Sequence, residues 1–413
     1  MTVGLGVSIG TVNTVCATTG EGGARAQRGT GPDRPLGRGG AGAGPSTWRT
    51  TLTFDSAGTA RVGRIRKHGR ALAEFADLTQ HSSGRWGGGT YVHGAPSARV
   101  GHRTLSPADL VATVAHSVLT DTFGAALAPD AGVAVSHPIG YPAECLAELR
   151  EALDKVGLPQ AVLVAEPIAA LAWLDAAHGP LAPGLTLVYD LGASNLGVTL
   201  VRVGAGAPAD PVVGVPLRSP DYGGRAFGAL TASQAPRSTI RGSEGGVREL
   251  TTTARSGGIG GRADTPARSL ADSDAAISDL RATHVRRSLE VVYRCLRTAD
   301  VTMADVDRVL VVGGAARPRE VAETLAEALA RPVMVAPDPE RTIAEGAAIM
   351  ARRSAAAQAA AQGRPGVAWL PRRLVRAVAA VAIVGAGVLV GLVGPAAAVS
   401  AGNVVVSGVH LAG

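Results

Sequence analysis

Short apolar runs alternate with amphipathic segments along most of the chain, which is the pattern of an α/β protein. Beyond a β-hairpin at residues 1–18, the runs that predict buried strands lie at residues 131–136, 162–164, 185–190, 198–203 and 309–312. The segments with apolar residues at helical spacing lie at residues 106–118, 143–155, 275–298, 321–329 and from 342 onwards. Two strand–hairpin–strand units, at the N terminus and near residues 185–203, predict a duplicated architecture whose halves close on a ligand.

Other parts of the chain lack such periodicity. Residues 20–50 are rich in Gly, Arg and Pro and predict an irregular excursion, and residues 229–274 show no core face. The Ala/Gln-rich residues 352–370 predict a linker. One helix start is well defined, since Ser106 is a favoured N-cap and Pro107 suits the first helical position.

The C-terminal region predicts a membrane anchor. Residues 377–394 contain no charge, residues 395–399 extend this run, and an apolar helix of about 20 residues spans a bilayer. Arg372, Arg373 and Arg376 precede the run and no lysine or arginine follows it, so the positive-inside rule places the N-terminal part in the cytoplasm and the tail outside. A buried core helix is the alternative.

Composition narrows the functional classes. The formal net charge is +7, but lysine occurs only twice and the arginines are spread along the chain without interleaved aromatics. This distribution argues against nucleic-acid binding. The three cysteines are far apart and the nine histidines do not adopt zinc-ligand spacing, which favours free thiols in a reducing compartment.

The N-terminal hairpin has the form of a phosphate-binding turn. Residues 3–14 run from an apolar strand through Gly10 into Thr11 and Thr14, so backbone N–H groups and hydroxyls can surround phosphate oxygens. A strand-end aspartate would hold Mg²⁺ in such a turn, and Ser8 stands in its place.

Five segments in order resemble the nucleotide-binding domain of the heat-shock-protein-70 (DnaK-type) chaperones, in the actin-like ATPase superfamily. These segments are residues 6–14, 165–172, 190–197, 312–317 and 338–348. The resemblance implies an α/β, duplicated actin-like ATPase (ribonuclease H-like) fold with two lobes, followed by one transmembrane helix. The implied divisions are lobe I at 1–180 (small subdomain 20–104), lobe II at 181–351 (reduced small subdomain 225–298), a linker at 352–376, the membrane helix at 377–399 and an external tail at 400–413.

The resemblance also implies a site for ATP or ADP with Mg²⁺. Its catalytic residues would be Glu166, Asp190 and Thr11, with Asp190 beside the metal. The residues implied to bind the nucleotide are Gly10, Thr11, Val12, Gly192, Ala193, Ser194, Asn195, Gly313, Gly314, Arg317 and Glu340. Read from the residues alone, Glu166 is also a favourable helix N-terminal acid, and Asp190 is also a turn former.

Several family positions are substituted. Besides Ser8, residues 193–195 replace a Gly-Gly-Thr turn, and Gly197 replaces that turn's second aspartate. The family's catalytic lysine or arginine should fall near residues 78–82, where only Gln80 and His81 are candidates, and residues 221–228 lack the acids of the matching family motif. Loss of positioned charge commonly costs a hundredfold or more in phosphoryl transfer, so efficient hydrolysis is not expected.

The sequence therefore predicts a membrane-anchored Hsp70-like protein with an ATP-binding domain, weak or absent hydrolysis, no peptide-binding domain and unidentified protein partners. Two alternatives stay open. The chain could be a slow but active chaperone-type ATPase, or a nucleotide-independent membrane scaffold.

Overall fold

The computed structural model describes residues 3–19, 46–55, 58–64, 71–81, 98–100, 103–124, 131–234 and 265–362. Its strands are β1 Gly4–Ile9, β2 Asn13–Thr19, β3 Ser46–Arg49, β4 Leu52–Phe54, β5 Ala60–Val62, β6 Ala98–Val100, β7 Arg103–Leu105, β8 Gly132–His137, β9 Val162–Ala165, β10 Gly184–Leu191, β11 Leu196–Val203, β12 Val212–Ser219, β13 Arg308–Val312 and β14 Val333–Val335. Its helices are α1 Pro107–Phe123, α2 Ala143–Lys155, α3 Glu166–His178, α4 Gly224–Gln234, α5 Thr265–Thr298, α6 Arg319–Leu329 and α7 Thr342–Gln362.

Two five-stranded sheets have the same construction. Their strand orders are β3-β2-β1-β8-β9 and β12-β11-β10-β13-β14. In each sheet a hairpin pairs antiparallel with a third strand on one side, and two parallel strands follow on the other side. This equivalence agrees with the duplicated α/β architecture expected from the sequence.

Helices α3 and α7 lie between the two sheets. Their buried side chains form one cluster with residues of both sheets, among them Ala134 of β8 and Val188 of β10. Outside this central layer, α1 and α2 cover the first sheet, and α5 and α6 cover the second. Strand β10 is buried along nearly its whole length because helices cover both of its faces.

Helix α7 approaches its neighbours closely because glycine occurs at the contacts. A Cβ atom added at Gly6 of β1 would overlap the carbonyl oxygen of Ala344, and one added at Gly346 of α7 would overlap the carbonyl oxygen of Ala169 in α3. Backbone therefore packs directly on backbone at these points, which fixes α3 and α7 between the sheets.

Most predicted elements are confirmed, several with the expected bounds. Helix α2 spans residues 143–155 as predicted, and Ser106 caps α1 by accepting a hydrogen bond from the Asp109 backbone N–H at 3.1 Å. The Asp109 carboxylate accepts the Ser106 N–H in return, which completes a capping box. All three cysteines are buried free thiols, as expected.

Three expectations are wrong. Residues 46–49 form edge strand β3 rather than an irregular segment, because they pair with β2 in a long-range contact that has no local signal. Helix α5 begins ten residues before 275, and α7 continues through the expected linker to Gln362. The residues that extend α7 are mostly exposed, so they show no apolar stripe, and helix-forming residues such as Ala and Gln continue the helix there.

Some expectations concern residues outside the described ranges. These are the irregular excursion over 20–45, the weakly patterned residues 235–264, the end of the linker and the membrane segment 377–399. Within the ranges that are described, no helix combines the length and the apolar character needed to span a bilayer.

Candidate nucleotide-binding site

A cavity of about 470 Å³ lies where the two sheets face each other, at the turns of both hairpins. The residues that line it come from both halves of the chain: from the first half Ser8–Asn13, Val15, Ala76, Asp77, Pro138, Ile139, Glu166 and Pro167, and from the second half Val188, Asp190, Gly192–Asn195, Gly197, Thr199, Arg218, Gly224, Arg225, Gly313–Ala315, Arg317, Glu340 and Ile343. Its volume lies within the range of small-molecule sites in proteins, about 300–1,000 Å³.

The two hairpin turns are equivalent in geometry. The Gly10 N–H donates to the Asn13 carbonyl at 2.9 Å, and the Gly192 N–H donates to the Asn195 carbonyl at 3.0 Å. The turns meet across the cavity, where the hydroxyl oxygens of Thr11 and Ser194 lie 2.8 Å apart. The cavity is therefore bounded at one end by two apposed turns.

These turns present backbone donors to the cavity. The N–H groups of Thr11 and Val12 in the first turn, and of Ala193 and Ser194 in the second, donate to no acceptor among the described residues. Consecutive N–H groups of this kind form a concave site with positive partial charge that suits phosphate oxygens.

Helix α4 holds the second turn in place. The Gly224 N–H donates to the Gly192 carbonyl at 3.0 Å, and the Arg225 N–H donates to the Ala193 carbonyl at 2.7 Å. Because the carbonyls of Gly192 and Ala193 accept hydrogen bonds from α4, the N–H groups of the turn face the opposite way, toward the cavity.

Two carboxylates lie on the floor of the cavity. Glu166 is the first residue of α3 and Asp190 lies near the end of β10, and both side chains are partly buried. Burial chiefly, and the neighbouring Asp190 charge in addition, raise the pKa of Glu166 to about 8 against the opposing effect of Arg218. Burial also raises the pKa of Asp190, to about 6, again against Arg218.

An ion pair joins the two halves of the chain inside the cavity. Nη2 of Arg218, on β12, lies 3.1 Å from Oδ2 of Asp77. The other oxygen of Asp77 accepts hydrogen bonds from the Thr79 N–H at 3.1 Å and from its hydroxyl at 2.7 Å. Burial acts to raise the pKa of Asp77, but Arg218 and Thr79 together hold this pKa below its ordinary value.

At the other end of the cavity, a glycine pair follows β13. Gly313 adopts φ +96°, a left-handed conformation that favours glycine, and a Cβ atom there would lie 2.6 Å from Oδ1 of Asp190. Arg317 lies beyond the pair, with Nη2 2.6 Å from Glu340 Oε2 and 2.9 Å from Asp338 Oδ1. The backbone at Gly313 therefore packs directly against the floor of the site.

Comparisons with known proteins agree with this arrangement. A family model described as Hsp70 protein matches residues 271–359. The chain is similar to the chaperone protein HscA of Escherichia coli O6:H1, with 27% identity over 313 residues, or 73% of this chain and 49% of that protein. The HscA of Salmonella arizonae is 27% identical over 299 residues, covering 69% of this chain and 47% of the relative. These matches support an Hsp70-family nucleotide-binding domain in this chain.

The matches cover only part of each protein. The chain spans about half the length of the curated relatives that it matches. The family model covers most of α5, β13, the glycine pair and most of α7, which include the glycine end of the cavity.

The structure brings every predicted site residue to this one cavity. Glu166, Asp190 and Thr11 line it, and so does the whole predicted binding set, from Gly10 in the first turn to Glu340 before α7. Their roles in catalysis and nucleotide binding stay predictions. Glu166 also occupies the helix N-terminal position of the alternative interpretation, so the two interpretations of Glu166 are compatible.

Sequence reasoning missed Asp77 and Arg218. The expected cation near residues 78–82 is replaced by a short helical turn at Leu78–His81, whose preceding residue is an acid. Arg218 lies on β12, a strand that the sequence pattern did not predict because Pro216 and exposed Val215 interrupt its apolar alternation. Its position opposite Gly197 is visible only in the sheet, so the sequence carries no signal for it.

The residues present do not fit a Mg²⁺ ion held by protein carboxylates. Among the described residues, no group of three or more His, Cys, Asp or Glu side chains could hold a metal. Ser8 and Gly197 supply no carboxylate, and the charge of Arg218 acts on both Glu166 and Asp190. Phosphate oxygens, by contrast, match the backbone donors of the two turns.

Proposed function

We propose that this Hsp70-family domain binds ATP or ADP in the cavity between its sheets and hydrolyses ATP weakly or not at all. The observation that supports the proposal most directly is the pair of apposed turns, whose four N–H groups at residues 11, 12, 193 and 194 have no acceptor among the described residues. Two turns with this geometry suit a chain of phosphates better than a single anion.

The glycine end of the cavity suits a nucleoside. An added Cβ at Gly314 would come no closer than 3.6 Å to other atoms, and those atoms belong to the Glu340 side chain. The backbone at Gly314 is therefore accessible from the cavity. Arg317 is about half exposed, and its ion pair with Glu340 holds the planar guanidinium beside this surface, where it can stack on a base.

A network connects the two ends of the site. Asn13 donates from Nδ2 to Glu340 Oε1 at 2.5 Å, and Glu340 in turn pairs with Arg317. Because Asn13 closes the first turn, a nucleoside that repositions Arg317 acts on the phosphate end through two contacts. This link supports one ligand that spans both ends.

Weak turnover follows from the charges of the site. Phosphoryl transfer depends on positioned positive charge around the transferred group. The described residues offer no carboxylate cluster for a metal ion that would supply such charge. Binding needs only hydrogen-bond donors, so it survives the substitutions that remove hydrolysis.

The slow-ATPase alternative is supported by one observation. Glu166 and Asp190 lie together on the cavity floor, where either carboxylate can orient a water. Replacing Glu166 with Gln separates the two functions, because it removes a proton acceptor and keeps the shape of the side chain. Turnover that depends on Glu166 supports the alternative, and turnover that the variant leaves unchanged does not use Glu166 as the proton acceptor.

We also propose that the chain is anchored in a membrane by residues 377–399, with the nucleotide-binding domain in the cytoplasm. The uncharged run and the arginines that precede it support this proposal. Protease treatment of sealed vesicles tests it. Digestion of the N-terminal domain from the cytoplasmic side, with residues 400–413 protected, is expected, and release of the intact chain by alkaline washing would contradict it.

Calorimetric titration of the full chain in detergent with ATP, ADP and GTP tests the nucleotide proposal. Saturable binding of ATP and ADP is expected, with weaker binding after Arg317→Ala. Arg319→Ala serves as the matched control, because Arg319 is exposed and pairs with Glu323 within α6. The absence of saturable binding at millimolar nucleotide would instead support the scaffold alternative.

A further inference from the structure

Three residues on adjacent strands form one row across the second sheet. Asp190 of β10 pairs with Gly197 of β11, and Gly197 pairs with Arg218 of β12. Residues paired directly across strands project to the same face of a sheet. Asp190 and Arg218 therefore share a face, with a residue that has no side chain between them.

Gly197 leaves space for Arg218 on that face. A Cβ atom built at Gly197 would lie 3.6 Å from the Asp190 Cβ, with no closer neighbour. An aspartate at this position would stand between Asp190 and Arg218. The glycine at 197 and the arginine at 218 are thus matched, because the first opens the surface over which the second extends.

Arg218 reaches into the cavity rather than into solvent. Its side chain is 28% exposed, and its guanidinium meets Asp77, whose side chain is only 6% exposed, on the opposite half of the chain. Asp77, Arg218, Glu166 and Asp190 all line the same cavity as the hairpin turns. A fixed positive charge therefore lies on the floor of the site proposed for phosphates.

We propose that Arg218 binds the polyphosphate of the nucleotide directly, in the place of a metal ion and of the missing cation near residues 78–82. The inference rests on the proposed nucleotide function and deepens it, because it predicts that binding does not require a divalent cation. A guanidinium presents five N–H donors, so it can bind phosphate oxygens in bidentate fashion and still keep its contact with Asp77. The pairing with Asp77 therefore leaves other N–H donors of the guanidinium for the phosphates.

A purely structural role is the competing explanation, in which the ion pair only holds the two halves together. The two explanations differ in what Asp77 does. If Arg218 binds phosphate, removing the Asp77 charge leaves that donor in place and affects nucleotide binding little. If the pair is only a link between the halves, loss of either partner has the same effect.

The test measures ATP binding by the full chain in excess EDTA and in excess Mg²⁺. We expect the native chain to bind equally well in both conditions. Arg218→Gln is expected to lose about tenfold or more in affinity in EDTA, the loss typical of one hydrogen bond to a charged group. Asp77→Asn is expected to change affinity less than threefold, and Arg218→Lys to restore part of the loss. Arg286→Gln is the matched control, because Arg286 is exposed on α5 and pairs with Glu327.

The outcomes separate this inference from the function on which it rests. Binding that requires Mg²⁺ and is unchanged in Arg218→Gln overturns the inference and leaves the nucleotide function intact. Equal losses in Arg218→Gln and Asp77→Asn, with equal losses in melting temperature, also overturn it in favour of a structural link. No saturable binding by the native chain in either condition overturns both.

Discussion

The hydroxyl oxygens of Thr11 and Ser194 lie 2.8 Å apart, although 183 positions separate the residues in sequence. This hydrogen bond joins the tips of two hairpins that occupy equivalent places in two sheets of equal strand order. A phosphate that takes a hydrogen bond from Thr11 must compete with Ser194. The contact therefore bears directly on nucleotide affinity.

Removal of the Ser194 hydroxyl and removal of the Thr11 hydroxyl are expected to change the affinity for ATP in opposite directions. Ser194→Ala frees the Thr11 hydroxyl for phosphate and is expected to strengthen ATP binding, by at most about tenfold for one neutral hydrogen bond. Thr11→Val removes a donor and is expected to weaken binding by a similar factor. Thr231→Ala, in an exposed part of α4, is the control. If Ser194→Ala and Thr11→Val instead lose the same amount of ATP affinity, the hydrogen bond between the two hydroxyls supports binding and does not compete with phosphate.

The glycines that follow β13 are expected to respond differently to alanine. Gly313→Ala places a Cβ in a left-handed conformation and against the Asp190 carboxylate, so it is expected to lower the melting temperature clearly. Gly314→Ala meets nothing closer than 3.6 Å and is expected to leave the melting temperature nearly unchanged while it weakens nucleotide binding. Thermal unfolding and calorimetric titration of both variants check this. A stable Gly314→Ala protein with native affinity would place the nucleoside elsewhere.

The packing of α7 depends on Gly346. An alanine at this position would overlap the carbonyl oxygen of Ala169, and overpacking in a core costs about 1–3 kcal/mol or more. The expected result is a lower free energy of unfolding in urea. Gly228→Ala is the contrasting variant, since no atom lies within 4 Å of its added Cβ on α4, and a gain of up to about 1 kcal/mol is expected. Destabilisation by both substitutions would contradict the close α3–α7 contact.

The carboxylates of the cavity floor predict a pH dependence of stability. The folded-state pKa of Glu166, about 8, is raised above its ordinary value, so the folded chain binds this proton more tightly than the unfolded chain. The contribution of Glu166 to stability is therefore full below about pH 4.5 and is lost as the pH rises towards 8. Urea unfolding across this range should show a flatter profile for Glu166→Gln than for the native chain. Glu327→Gln, at an exposed position, is the control for the loss of a carboxylate. The same dependence of unfolding free energy on pH in Glu166→Gln and in the native chain would show that the pKa of Glu166 is not raised by the fold.

Much of the fold could be predicted from the sequence because its signals are local. The glycine turns after β1, β10 and β13 and the amphipathic face of α2 depend on residues close together in the chain. Strand β12 and the extension of α7 to Gln362 could not be predicted, since a half-exposed strand and an exposed helical extension both lack periodicity. The same difference between local and long-range signals applies to the residues of the site. The turn residues were found by their motifs, whereas Asp77 and Arg218 meet across 141 positions through tertiary structure alone.

The sheet shows a structural consequence of the glycine at position 197 that the sequence does not. In the sequence it is the loss of an aspartate. In the structure it is the open position between Asp190 and Arg218 on one face of the sheet. This open position is what the proposed contact between Arg218 and the polyphosphate requires.

The most direct test is to incubate the full chain with labelled ATP, isolate the complex and identify the bound nucleotide by chromatography. The account predicts saturable binding and recovery of the label mainly as intact ATP after prolonged incubation. The absence of saturable binding, or rapid conversion of the bound ATP to ADP that Glu166→Gln abolishes, would contradict it.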